Sequence, residues 1–145
     1  MKLKTNLSLD VANNIIDSAI ENGREQNLLP LTVVILDSGG KIIASKSEDG
    51  SSNMRFEIAF GKAWGGLAIG RSSRANEADI ITREHFGVGL AAASNGRIIP
   101  VAGGVLIVDE NGDVAGAVGV TGDSSDNDEY CAIAGIEAAG LTPKV

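Results

Sequence analysis

The sequence predicts a single α/β (α+β) domain in which an antiparallel sheet is flanked by helices. Three observations predict it. Apolar residues recur at helical spacing near both ends, in Leu9, Ala12, Ile15, Ile16, Ala19 and Ile20 and again in Ile133, Ile136 and Ala139. Two pairs of β-rich runs each turn back through a polar, glycine-bearing link, Asp37-Ser38-Gly39-Gly40 and Glu110-Asn111-Gly112. The chain is 145 residues long, the size of one domain, and it contains no repeat, low-complexity tract or linker that would divide it.

The elements follow in order. The first helix runs from Ser8 to about Gln26, with Ser8 as N-cap and Asp10 in the first turn, where a carboxylate suits the dipole. Residues 31–36, apolar on both faces, predict a central strand, and residues 41–46, with a lysine at each end, predict an edge strand. After a loop over 49–53, a helix spans Met54 to Gly70. Its Gly61, Gly65, Gly66 and Gly70 each cost helix stability, about 1 kcal/mol against alanine, so each implies close approach. That approach is to the domain's own sheet, to another subunit, or to a ligand. Short helices follow at 75–84 and 88–93, broken at Phe86-Gly87, and a short strand is expected over 98–101. Val105–Asp109 and Asp113–Val120 form the second hairpin, and a last helix runs from Ser124 to Ala139, stopped by Gly140.

Composition excludes several functions. A hydrophobic content of 43% is ordinary for a globular chain and argues against disorder. The net charge of −7, with scattered lysines and arginines, excludes nucleic acid as a partner. No apolar run approaches the length of a membrane span, and the N-terminal Met1 to Thr5 carries lysines without the apolar stretch of a signal peptide. A single cysteine, Cys131, precludes an internal disulfide and agrees with a cytoplasmic location.

Few residues offer chemistry. His85 is the one histidine; at a helix end it caps free carbonyls, and alternatively it ligates haem or acts as a base. Lys62 is a lone cation on an apolar helix, either snorkelling to solvent or pairing with a ligand carboxylate. Gly103-Gly104 is no phosphate loop, lacking a following Lys-Ser/Thr, and serves a turn, a bulge or the approach of a planar ligand. The acids Asp123, Asp126, Asp128 and Glu129 depart from EF-hand spacing, and no metal is expected. They fit a helix start instead, with Ser125 and Asp128 as a capping box. Cys131 reads as an inert buried thiol.

In this order the motifs resemble the GlcG/HbpS family of haem-binding-like proteins, which includes the C-terminal domain of PduO-type proteins. The resemblance runs over about residues 7–139. It rests on the opening helix, Val33-Val34-Ile35-Leu36-Asp37-Ser38-Gly39-Gly40, the Ala59, Lys62 and Ala63 spacing, Ala102-Gly103-Gly104-Val105, Gly116-Ala117-Val118-Gly119-Val120-Thr121-Gly122, and the acidic start of the last helix. Ala102 and Leu106 stand where the family carries prolines, and Trp64 adds bulk after Ala63. The resemblance implies a profilin-like α/β/α sandwich with a five-stranded antiparallel sheet. It also implies a homo-oligomer, dimer to octamer, that binds haem or a cobalamin-related ligand. Lys62, Gly103, Gly104 and His85 are the candidate ligand-binding residues. The alternative function is a small-molecule enzyme or accessory subunit acting on an organic acid or diol-derived metabolite; whether the chain is catalytic stays open.

Overall fold

A computed structural model describes residue 1 and residues 5–145; residues 2–4, inside the stretch read for a signal peptide, lie outside the described residues. The elements are α1 (Leu9–Glu25), β1 (Thr32–Asp37), β2 (Ile42–Ser47), α2 (Arg55–Ile69), α3 (Ser73–Thr82), α4 (Glu84–Ala93), β3 (Gly104–Val108), β4 (Val114–Thr121), α5 (Ser125–Ala138) and β5 (Thr142–Lys144). The sheet order is β2-β1-β4-β3-β5 and every pairing is antiparallel. The mixed α/β class and the five-stranded sheet are therefore as expected, with β1 inside the sheet and β2 at its edge.

Two apolar layers hold the sheet. On one face Ile15, Ile16 and Ala19 of α1 and Cys131, Ala132 and Ile136 of α5 pack on Val33, Ile35, Val105, Ile107, Val118 and Val120. On the other face Ala59 and Ala63 of α2 pack on Val34, Leu36, Leu106 and Ala117. Period-2 alternation divides the strand residues between these faces, so strands apolar on both sides are required.

Each hairpin is tied by one aspartate. Asp37 Oδ1 accepts from the Gly39 and Lys41 amides, and Asp109 Oδ1 accepts from the Asn111 and Asp113 amides. Such side-chain bonds fix a turn locally, which is why both links are readable from sequence.

Several expectations need correction. Residues 98–101 join no ladder: the Ile99 amide donates to the Gly61 carbonyl, and Ile98 packs on Gly65, so this stretch is a strap across α2. The bare faces of Gly61 and Gly65 thus receive the strap rather than the sheet. The fifth strand is Thr142–Lys144 beside β3, where Pro143 sits at the sheet edge. The break between the short helices falls at Arg83, leaving Phe86-Gly87 inside α4. The α5 cap is Ser124, whose hydroxyl accepts from the Asn127 amide, so Ser125 and Asp128 do not form the capping box.

Candidate functional site

Beneath the turn that leads into β3, the structure gathers three of the four candidate residues. Lys62 is only 2% exposed. Its Nζ donates to Asp128 Oδ2 at 2.9 Å and to the Val120 carbonyl at 3.0 Å. Asp128, itself 1% exposed, uses Oδ1 to accept from the Asp123 amide at 3.0 Å. One buried ion pair thereby joins α2, the end of β4 and the start of α5. Lys62 neither snorkels nor waits for a ligand carboxylate, because a carboxylate of the chain already holds it.

Burial pulls the Lys62 ammonium below its ordinary pKa and pushes the Asp128 carboxyl above its own. Their mutual attraction and hydrogen bond oppose both shifts. Arg55, which donates to Thr121 Oγ1 nearby, adds a second positive charge that favours the Asp128 carboxylate.

Gly103 and Gly104 close this site from above. Gly103 has φ +117°, a conformation that side chains resist, and a Cβ there would lie 2.8 Å from Lys62 Nζ and 2.7 Å from the Val120 carbonyl. Gly104 pairs with Gly119 across β3 and β4. A Cβ on Gly104 would lie 2.3 Å from the Lys62 carbonyl, and one on Gly119 would lie 1.9 Å from the Ala59 carbonyl. The two glycines form a bare seat for the α2 backbone, and Gly103 lies close against the Lys62 ammonium.

Helix α3 clamps the turn through polar groups. The Gly104 amide donates to Ser73 Oγ at 2.7 Å, and the Ala102 amide donates to Glu77 Oε2 at 3.2 Å. Asn76 Nδ2 donates to the Gly65 carbonyl, and Arg74 bridges to Asp126 and Glu129 on α5. Glu129 Oε2 is buried without a hydrogen-bond partner among the described residues.

The sequence marks Asp128 only as part of a helix start, and it gives no sign of Ser73, Asn76 or Glu77 at this site. A further signal for Asp128 existed: it stands at helical spacing with Ala132 and Ile136, both buried, so it is an acid within an apolar stripe. Cys131 lies on the buried side of the same helix, and burial, together with the neighbouring Asp128 and Asp123 charges, pushes its thiol up to about 11. That makes it an inert thiol, as read from the sequence.

His85 stands apart. It is exposed in the first turn of α4, where free amides rather than free carbonyls face the chain end, so the carbonyl-capping role does not hold. Its helix also contributes to an apolar groove of about 340 Å³ lined by Ile80, Glu84, Gly87, Val88, Leu90, Ala91, Ile98 and Pro100, which His85 itself does not line. Arg83, at the head of α4, lies over the Phe86 ring at 4.4 Å. Among the described residues no group of three His, Cys, Asp or Glu side chains is placed to hold a metal ion, and no helix is long and apolar enough to cross a membrane.

Comparison with known proteins places the fold. A search of curated protein sequences finds no match. The crystal structure of a PduOC–haem complex superposes with TM-score 0.85 at 22% identity, over 96% of this chain and 99% of that one. Klebsiella pneumoniae protein ORFY superposes with TM-score 0.79 at 23% identity, over 97% and 94%. A double mutant of Streptomyces reticuli HbpS superposes with TM-score 0.78 at 20% identity, over 94% and 89%. The family described as haem degrading protein HbpS-like matches residues 7–137. With that match spanning nearly the whole chain, on the same layered fold, the protein belongs to the HbpS-like family.

Proposed function

We propose that this protein binds haem or a related tetrapyrrole and works as a cytoplasmic homo-oligomer, within the range from dimer to octamer. The observation that carries the reading is the apolar groove along α4, the helix that also bears the only imidazole of the chain. The groove is at the lower end of the roughly 300–1,000 Å³ of small-molecule pockets, so it takes an edge of a macrocycle rather than enclosing one. His85 is exposed on the same helix and offers a nitrogen ligand for iron, and Arg83 offers a cation for a carboxylate substituent. The haem-complex structure of a protein with this fold lends support by analogy.

Lys62, Gly103 and Gly104 enter the reading as a floor. They hold the start of β3, and the strap that forms one wall of the groove runs directly into them. The alternative, an enzyme or accessory subunit for an organic acid or diol-derived metabolite, draws on an available Lys62 ammonium. Engagement of that ammonium by Asp128 and Val120 leaves no observation that favours it.

Haemin titration followed by absorbance tests the proposal. A saturable Soret shift is expected, reduced or lost in His85→Ala. Absence of a saturable shift in the native chain would refute haem binding, and an unchanged shift in His85→Ala would refute His85 as the ligand.

A further inference from the structure

We propose that two copies of this chain pair through α4, helix against helix and antiparallel, about a two-fold axis near Gly89. The inference rests on the self-association in the reading above, and because Glu84, Val88 and Ala91 also line the groove, the pairing sets that groove at the junction of two copies. It starts from a mismatch between composition and burial. Eight of the ten residues of α4, EHFGVGLAAA, are apolar or glycine, yet none is buried. At 100° per residue the helix has two sides. Phe86, Gly87 and Leu90 are half-buried, and a Cβ on Gly87 would meet Ile80 of α3 at 2.7 Å. His85, Val88, Gly89, Ala91, Ala92 and Ala93 are exposed, Val88 by 72%, and Ile81 at the end of α3 by 71%. A helix of this length is marginal in water without packing, so an uncovered apolar side calls for a cover.

Charge at the two ends of α4 identifies the cover as a second copy. Glu84 stands in the first turn. Arg97 sits at the other end, where its Nε donates to the Ser94 carbonyl at 2.9 Å and its guanidinium lies 4.2 Å over the Trp64 ring. Neither joins an ion pair among the described residues. An antiparallel pairing sets the Glu84 end of each helix against the end of the other that carries Arg97, twice, and opposes the two helix dipoles. A parallel pairing would set like charges together. The matched ends matter because a net charge of −7 otherwise repels copies of this chain. Gly89 and Ala92 allow close approach, since a Cβ on Gly89 would meet nothing. His85 lies on the same exposed side, so the pairing carries the only imidazole to the junction of two copies.

Analytical ultracentrifugation of the full chain over roughly 5–200 µM tests this, since assembly shifts with concentration by mass action. The native chain is expected to sediment as a dimer or a larger even oligomer. Val88→Asp, Glu84→Arg and Arg97→Glu should each weaken the α4 contact by about ten-fold, and the charge-swapped E84R/R97E should regain most of that loss. Circular dichroism melts confirm that each variant folds, and recovery in the double variant cannot come from misfolding. A native chain that stays monomeric would overturn both self-association and this contact. An oligomer indifferent to Val88→Asp, or a swap that fails to recover, would overturn the α4 contact alone.

Discussion

Replacing Lys62 with methionine tests the central claim about the buried pair. Methionine keeps the aliphatic length but removes the ammonium that donates to Asp128 Oδ2 and the Val120 carbonyl. Asp128 is then a carboxylate at 1% exposure with its charge partner gone. Breaking one half of a buried pair costs about 3–5 kcal/mol, a large share of the roughly 5–15 kcal/mol that holds a domain folded. For a chain near this size each kcal/mol moves Tm by roughly 2–4 °C, so a drop of about 6–20 °C is expected. Urea unfolding followed through Trp64, the only tryptophan, measures the loss. Adding Asp128→Asn to Lys62→Met removes the orphaned charge while keeping an oxygen for the Asp123 amide, and should recover more than half of it. The pH dependence carries its own sign. Without Lys62, burial raises the folded pKa of Asp128 above the unfolded value of about 3.9. The deficit should therefore be smallest below about pH 4 and widen as pH rises through the folded pKa. A Lys62→Met variant within about 1 kcal/mol of native, or a double variant no better than the worse single, would refute the reasoning.

Two further predictions follow from the same packing. Gly119→Ala places a Cβ 1.9 Å from the Ala59 carbonyl, a backbone atom that cannot step aside, so a loss of at least about 3 kcal/mol or insoluble expression is expected. A urea midpoint close to native would show that α2 does not sit on the glycine seat. Asp123 is held below the usual carboxylate range by the Leu29 amide, and further by Asn127 Nδ2 and the Ser124 amide. Its contribution to stability is complete above the unfolded pKa and is lost as pH falls through the folded one. Acid unfolding curves of Asp123→Asn should be flatter than native below about pH 4; parallel curves would contradict this.

Much of the architecture was legible because it is encoded locally. Ser8 caps α1 through its own hydroxyl, three residues from the amide it holds; at α5 the same local device uses Ser124, one residue before the Ser125 of the expected capping box. Asp37 and Asp109 tie their hairpins within four residues. The strap at 98–101 misled because an apolar, β-branched run has the composition of a strand; only the Gly61 carbonyl and the bare Gly65 face decide that it lies on a helix. β5 escaped notice because three residues with a proline carry no alternation to read.

By itself the sequence determined the periodicities, the turns and the motif order that mark the family, since each depends on residues within one element. The tertiary structure alone decided what Lys62 is for. Its partners Val120 and Asp128 lie 58 and 66 residues away, and whether an amine meets solvent, a ligand or an internal carboxylate depends on which elements the fold sets against it. Burial then turns that encounter into energy, because in a desolvated interior a charge must find a partner close by.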